Sequence, residues 1–432
     1  MTKCRKTNQP VLIHEVHDLW PKTLVDVGGM SKNNPFVWIM QHGENKSYKC
    51  ADYVTSTLEF AENHMKEHGL EKGKFVYIPN GISQADWENK ESVPHSHKNI
   101  LNSLKDKGKF IVGYFGGFAI SNALDRLIDA AELIEKNDIV FVLVGEGAEK
   151  EKLCDRVKRK RLENIIFLEP VKKSCIPELL RYFDCVYMGV KQDLEIYKYG
   201  ISSTKMYDAM MGEKPIVMSM SDVRTPVESF KCGIKTSIDA TELKNAIEKL
   251  YFMPEEQRVK MGKSGKEAVI SNYEYGKLAE KYEELFPANS STILLINHYA
   301  GSNNMGMDFR PYYLGKEWIK RGYRVKILAA DYSHLRRENP KVTKDFQKEI
   351  VDEIEYYWIK TTSYKGNGVK RASTMLQFIS KLCLGAKRIA KVMQPDVIIT
   401  ASTYPLDIYA ANLIKKYSLE EKKACKKYGN NK

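Results

Sequence analysis

Short runs of β-branched and aromatic residues alternate with stretches of helical period along almost the whole of this 432-residue chain. VLIHEV (11–16), FVYI (75–78), KFIVGYF (109–115), IVFVLV (139–144), ILLIN (293–297), RVKILA (324–329) and DVIITA (396–401) read as buried strands. Others fall at 53–56, 164–168, 185–188, 215–219, 233–236 and 354–360, with amphipathic segments such as 122–136 and 242–251 between them. Strands spaced by helices of roughly 10–20 residues build βαβ units and parallel sheets, because a parallel return needs a crossover. This number of strands fits two Rossmann-like domains better than one. With 43% hydrophobic and 28% charged residues, disorder and coiled coil are excluded.

Other classes fall away on similar grounds. No apolar run approaches the ~18–20 residues of a membrane-spanning helix. Met1-Thr2-Lys3-Cys4-Arg5-Lys6 has no apolar stretch behind it, so no secretory signal is expected. The eight cysteines are scattered without a CxxC, which reads as reduced cytoplasmic thiols rather than disulfides or zinc.

Two breaks divide the chain. Ile78-Pro79-Asn80-Gly81-Ile82 reads as a hinge, and Phe286-Pro287-Ala288-Asn289-Ser290-Ser291 as a second interruption. They isolate 79–286 as one domain. The flanking pieces, 1–78 and 292–432, each hold too few strands for a domain, so we expect them to form one discontinuous domain. Three separate small domains are the alternative. Charge is divided unevenly: 1–78 carries net +1, 79–291 net −1, and 292–432 net +13. A basic surface confined to one segment suits an anionic partner, such as a membrane surface or a lipid-linked phosphate. Without a helix-turn-helix, RRM or zinc-finger pattern, nucleic acid is not expected.

Several clusters carry chemistry. Gly113-Tyr114-Phe115-Gly116-Gly117-Phe118-Ala119-Ile120-Ser121-Asn122 follows a strand and opens a helix. Its glycines let backbone approach an anion, and Ser121 is placed to cap the helix. A plain βα turn is the bland alternative. Lys205 and Asp208 lie at i and i+3 after Gly200-Ile201-Ser202-Ser203-Thr204, and so share a helix face near its start. A surface ion pair is the alternative there. In His14-Glu15-Val16-His17-Asp18-Leu19-Trp20-Pro21, alternation sends His14 and Val16 to one face, and Glu15 and His17 to the other. A satisfied core histidine is the alternative for both rings. The stretch 365–391 mixes Lys365, Lys370, Arg371, Lys381, Lys387, Arg388 and Lys391 with apolar residues and reads as an amphipathic, interfacial helix. An ordinary packed helix with a basic outer face explains it equally well.

These stretches resemble family-4 glycosyltransferases, whose GT-B fold has two facing Rossmann domains. The likeness is strongest to the bacterial surface-polysaccharide branch that includes N-acetyl-L-fucosamine-type transferases. Residues 293–336 resemble the family's amino terminus, and 11–24 the middle of its acceptor domain. Residues 75–82 resemble the interdomain crossing, and YGISSTKMYDAMMGEKPIV (199–217) the donor domain. In family order the chain would run 292→418 and then 10→286, so the resemblance implies a circularly permuted α/β protein with a discontinuous acceptor domain. Fusion of two gene fragments would give the same order.

The resemblance also implies roles. Asp208 matches the last carboxylate of the family's Glu-x7-Glu motif, which accepts hydrogen bonds from the nucleotide ribose. The first Glu is replaced by Gly200, and the usual Arg and Lys after the 109–115 strand are absent. Lys205 would then supply charge to the departing phosphate. His17 would position the sugar, with Asp18 orienting it or touching the acceptor hydroxyl. Gly116, Gly117, Phe118, Ser121, Gly145, Val171, Lys173, Ser203, Thr204 and Gly306 would bind the donor. His298, Asp308 and Arg310 would meet the acceptor. The implied reaction is retaining and needs neither metal nor cofactor. Its donor is a nucleotide sugar, UDP-linked, and its acceptor a lipid-linked saccharide at the inner face of the plasma membrane. Two other functions compete. One is a nucleotide-binding scaffold without activity. The other is a nicotinamide oxidoreductase, which neither 113–122 nor 297–306 suits, because neither reads G-x-G-x-x-G.

Overall fold

The computed structural model describes residues 9–191, 194–220, 223–306, 309–334, 336–366 and 368–429, with side chains as far as 423. In chain order the strands are β1 (Val11–Val16), β2 (Tyr53–Ser56), β3 (Phe75–Tyr77), β4 (Phe110–Gly117), β5 (Ile139–Glu146), β6 (Ile165–Leu168) and β7 (Cys185–Gly189). They continue with β8 (Ile216–Ser219), β9 (Gly233–Thr236), β10 (Thr292–Ile296), β11 (Arg324–Ala330), β12 (Gln347–Val351), β13 (Ile354–Ile359) and β14 (Val397–Thr400).

The chain divides into two compact units, Asn80–Glu274 and a unit built from Met1–Pro79 with Tyr275–Lys432. In the Asn80–Glu274 unit six parallel strands take the order β6-β5-β4-β7-β8-β9. The order reverses between β4 and β7, and in such sheets ligands bind beyond the carboxyl ends of the strands at that point. Strands such as IVFVLV are buried along their length because helices cover both faces, which is why they read as continuous apolar runs.

The other unit holds eight strands in the order β12-β13-β11-β10-β14-β1-β2-β3. At its centre β14 pairs in parallel with β10 on one side and with β1 on the other, with Ile13 opposite Ile399. Strands from opposite ends of the sequence are thus neighbours in one sheet. Packed apolar layers lie on both faces, one built around Ile293, Leu295, Trp318 and Ile399, the other around Leu294, Ile296, Phe378 and Ile398.

Two differences from the sequence reading have physical causes. The helix Tyr275–Glu283, placed by sequence in the 79–286 segment, packs Tyr275, Leu278, Ala279 and Tyr282 into the core of the terminal unit. The Pro/Asn/Ser stretch at 286–291 marks a turn inside that unit. The crossing itself runs through Tyr273-Glu274-Tyr275, which has no Gly or Pro to signal it. Strand β12 was not expected. It is an antiparallel edge strand, largely exposed, with the polar sequence QKEIV, and joins β13 through Asp352 and Glu353 at positive φ. Among the described residues no helix is long and apolar enough to cross a membrane.

Candidate functional site

The first candidate site lies at the carboxyl end of β4. The strand continues through Gly116 (φ +128°) and Gly117 before the chain turns. A Cβ on Gly116 would stand 2.7 Å from Lys205 Cδ, so only glycine lets the lysine stem pass beneath the loop. Lys205 sits in the first turn of the helix Thr204–Met211. Its ammonium donates to Asn122 Oδ1 at 2.9 Å and to Tyr114 Oη at 3.1 Å, and lies over the Tyr114 ring at 4.8 Å. Asn122 in turn donates to the Gly117 carbonyl at 2.8 Å, which fixes the loop over the lysine. Burial pulls the Lys205 amine down to about 8, because the partners it has are neutral.

Asp208, one turn along the same helix, is buried and pairs with Lys173, whose Nζ reaches Oδ1 at 2.6 Å and also contacts Oδ2. Lys205 and Asp208 therefore do not pair with each other; each reaches a different loop. Ser202, just ahead of the helix, accepts from the Asn80 backbone N–H at 2.8 Å, and its carbonyl accepts from Asn80 Nδ2 at 2.8 Å. These bonds hold the hinge residue against the start of the lysine-bearing helix.

Several expected donor contacts take other parts. Phe118 is fully buried, packed on Tyr114 and Phe167, so its side chain belongs to the core. Ser121 caps no helix: the helix Leu124–Glu132 starts after Ala123, and the Ser121 carbonyl accepts from Lys191 N–H. Gly145 sits opposite Gly116, where a Cβ would meet the Gly116 oxygen at 1.9 Å; it permits close strand packing. Val171 packs against the core. Ser203 precedes the Thr204–Met211 helix without a side-chain cap, and Thr204 is exposed in its first turn. The sequence reading passed over Tyr114 and Asn122 as partners of Lys205. Their place inside the glycine-rich stretch was the available signal.

The second candidate site lies in the terminal unit, beyond the carboxyl ends of β1 and β14. His14, Glu15, His17, Asp18, Glu44, Tyr48 and Ser402–Pro405 are among the residues lining one small cleft. The expected alternation is present. His14 turns to Thr400 Oγ1 at 2.8 Å and the Tyr48 ring, whereas Glu15 and His17 meet on the other side. Burial holds the His14 imidazole down to about 3 despite the neighbouring Glu15, so it is neutral at physiological pH. His17 Nε2 is 2.7 Å from Glu15 Oε1, and Asp18 is exposed at the cleft.

Glu15 is the hub of a buried network. Arg310 Nε lies 3.1 Å from its Oε2, and Tyr282 donates to the same oxygen. Burial alone would raise this carboxyl, but Arg310 and His17 overcome it and hold Glu15 at about 2. Arg310 also donates to the carbonyls of Ile78, at 3.0 Å, and Pro79. It is 3% exposed, so it ties helix, strand and hinge together and is not placed to meet an acceptor phosphate. His298 is likewise fully buried, bonded through Nδ1 to Tyr404 Oη at 2.8 Å, and its ring does not line the cleft. Gly306 has φ +77° and bridges to Ser302 in the loop after β10. Asp308 lies outside the described residues.

Residues 97–268, within the Asn80–Glu274 unit, match the family model of glycosyl transferases group 1. The chain is 22% identical over 159 residues to an Escherichia coli K12 protein named as the colanic acid biosynthesis glycosyl transferase WcaI, covering 37% of this chain and 39% of that protein. It is 24% identical over 215 residues to the poly(ribitol-phosphate) alpha-N-acetylglucosaminyltransferase of Staphylococcus aureus, covering 48% of this chain and 41% of that one. The chain thus spans about two fifths of the length of these curated relatives. Among solved structures it is similar to Anabaena HepE in complex with UDP and glucose, at 18% identity and a TM-score of 0.49, covering 64% of this chain and 71% of that one.

Proposed function

We propose that this protein is a retaining glycosyltransferase of the GT-B type that uses a nucleotide sugar, UDP-linked, as donor. The observation that carries this reading is Lys205, a partly buried ammonium with neutral partners under a glycine loop, in the stretch that matches the glycosyltransferase family model. A cation with depressed basicity gains most when an anion arrives, because the anion supplies the countercharge that burial withholds. A nucleoside diphosphate leaving group is such an anion. Asp208, with Lys173 beside it, is the group to accept from the ribose hydroxyls, since a carboxylate takes two donors at once. Gly117, Ser203 and Thr204 border the phosphate position, and Gly306 remains assigned to the donor.

In this mechanism the acceptor hydroxyl oxygen forms a bond to the anomeric carbon on the face the donor phosphate leaves. The bond from that carbon to the phosphate oxygen breaks, its electron pair stays on the phosphate, and the hydroxyl proton passes to the same oxygen. Lys205 stabilises the developing charge. His17, held by Glu15, orients the sugar, and Asp18 lies beside it at the cleft mouth.

We assign the acceptor as a lipid-linked saccharide of surface-polysaccharide synthesis at an anionic membrane. The net +13 of residues 292–432 supports this. So does the helix Val369–Met393, which exposes Val369, Leu376, Leu384 and Val392 together with basic residues while burying Met375, Phe378 and Leu382. We also propose a circular permutation. If the terminal unit is numbered from β10 through β14 and onward into β1–β3, omitting the edge strand β12, its order becomes 3-2-1-4-5-6-7, with the same reversal as the other unit.

Titration with UDP, followed by a donor panel assayed with a prenyl-diphosphate-linked sugar, tests the reading. UDP binding with transfer supports it. Absence of UDP binding overturns it, and binding without transfer on any acceptor favours the scaffold, which the Gly200 substitution also suits.

A further inference from the structure

Beside the second cleft, two helices bring together three metal-ligating side chains. Glu44 lies on Pro35–Cys50, His64 lies on Glu62–Glu67, and His68 follows the end of that second helix. His64 and His68 are four residues apart and so share a face. One ligand atom from each of the three lies within 4.8 Å of the others, and His64 Nε2 is 3.0 Å from Glu44 Oε1. Glu44 and His64 are buried, and His68 is partly so.

The hydrogen bonding around this cluster leaves one close contact over, between Gln41 Nε2 and His68 Nδ1. Gln41 Nε2 lies 2.6 Å from Glu44 Oε2, 2.9 Å from Asn45 Oδ1 and 2.9 Å from His68 Nδ1. An amide nitrogen has only two hydrogens. His68 Nδ1 is also 3.1 Å from Asn45 Oδ1. If that nitrogen carries a hydrogen, it donates to Asn45 Oδ1 beside Gln41, and the two nitrogens meet with no bond between them. If it does not, two lone pairs face each other. Turning the Gln41 amide over sets its oxygen against the Glu44 carboxylate, and turning Asn45 sets two NH2 groups together. No combination of amide orientation and imidazole tautomer satisfies every contact, because Gln41, Asn45 and His68 all touch one another and three atoms cannot alternate between donor and acceptor. A cation does, because nitrogen lone pairs, a carboxylate and amide oxygens can all point at it.

We propose that Glu44, His64 and His68 bind a divalent transition ion of the zinc class, with the amide oxygen of Gln41 or Asn45 completing the set. Two imidazoles and a carboxylate suit zinc in a tetrahedral site, whereas magnesium and calcium prefer oxygen ligands alone. With ligand bonds of about 2.0–2.1 Å, neighbouring ligand atoms in a tetrahedron stand about 3.3 Å apart, so the cluster needs only small side-chain adjustments. Tyr48 donates to Glu44 Oε1 at 2.9 Å and is the outer partner that fixes the carboxylate. Glu44 and Tyr48 also line the cleft with His17 and Asp18. The ion would therefore set the wall of that cleft and act as a positioning element, outside the reacting atoms.

The test uses the full chain, stripped with chelator and dialysed against Zn2+ or Co2+. Elemental analysis should find about one equivalent of zinc, the cobalt form should show the visible d–d bands of a tetrahedral site, and the zinc form should melt several degrees higher. His64→Asn with His68→Asn should lower zinc affinity at least tenfold, while His42→Asn, exposed on the helix that carries Glu44, should leave it unchanged. If the double variant fails to fold by circular dichroism, Glu44→Gln carries the same expectation. Sub-stoichiometric uptake by the native chain, a featureless cobalt spectrum, or equal zinc affinity in the variants would overturn the proposal.

Discussion

Lys205 Nζ donates to Asn122 Oδ1 across 2.9 Å, and so a helix-borne ammonium is held by a neutral amide of the β4 loop. Replacing Lys205 by Met keeps the stem under Gly116 and removes the charge. UDP affinity, measured by calorimetry, should fall about 10- to 100-fold, the range of one charge-assisted hydrogen bond. Lys205→Arg should recover only part of it, since the guanidinium is wider than the passage beneath Gly116.

The same amine gives a pH signature. Its folded value of about 8 lies below the ordinary lysine value of 10.5. Between those two the unfolded chain binds more protons than the folded one, so this group makes stability rise with pH across that window. Nucleotide binding has the opposite slope: a phosphate favours the charged amine, and UDP affinity should decline above about pH 8, by up to tenfold per unit. A flat profile to pH 9.5, or an unchanged slope in Lys205→Met, would remove Lys205 from the donor site.

Asp208→Asn tests the other half of the donor site. It removes the charge that holds Lys173 and weakens acceptance from ribose hydroxyls. We expect UDP affinity to drop about tenfold while the affinity for inorganic pyrophosphate, which has no ribose, changes little.

The Glu15–Arg310 pair should behave as a stability determinant. Breaking a buried pair from one side leaves a charge stranded, at a cost of about 3–5 kcal/mol. Arg310→Met should lower the urea midpoint accordingly, and the double variant with Glu15→Gln should recover part of the loss. Glu15 is depressed to about 2, so its contribution is full above the ordinary carboxyl value of 4.5 and fades as pH falls from there to about 2. The acid limb of the unfolding curve should lose that component in Arg310→Met.

His17→Ala separates chemistry from binding. The ring reaches Glu15 at 2.7 Å and lines the cleft of the terminal unit. Transfer should slow at least tenfold, with UDP affinity within twofold of native. A matching loss of UDP affinity would place His17 in a different role.

Strand positions were legible in the sequence wherever both sheet faces are covered, as in IVFVLV and TILLI, because burial on two sides leaves an unbroken apolar run. Edge strand β12 was not legible, since exposure removes that signal and QKEIV carries only its charges. Among site residues, Lys205 and Asp208 could be placed on one helix by spacing alone. Their actual partners, Asn122 and Lys173, come from loops far away in sequence, which periodicity cannot pair. Arg310 and His298 failed as surface groups for a related reason: the sequence gives no sign that Glu15 and Tyr404 will meet them inside the core. Phe118 misled because a glycine-rich loop suggests ligand contact throughout, although this ring packs inward and anchors the turn.

Strand β1 is made more than 380 residues before β14, one of its two sheet partners. The nascent amino-terminal segment must therefore wait, with an open apolar edge, while the Asn80–Glu274 body is synthesised and folds ahead of it. Assembly of the terminal sheet is thereby postponed until β14 has been made. A truncated product lacking β14 would strand that edge in water and be exposed to aggregation or proteolysis.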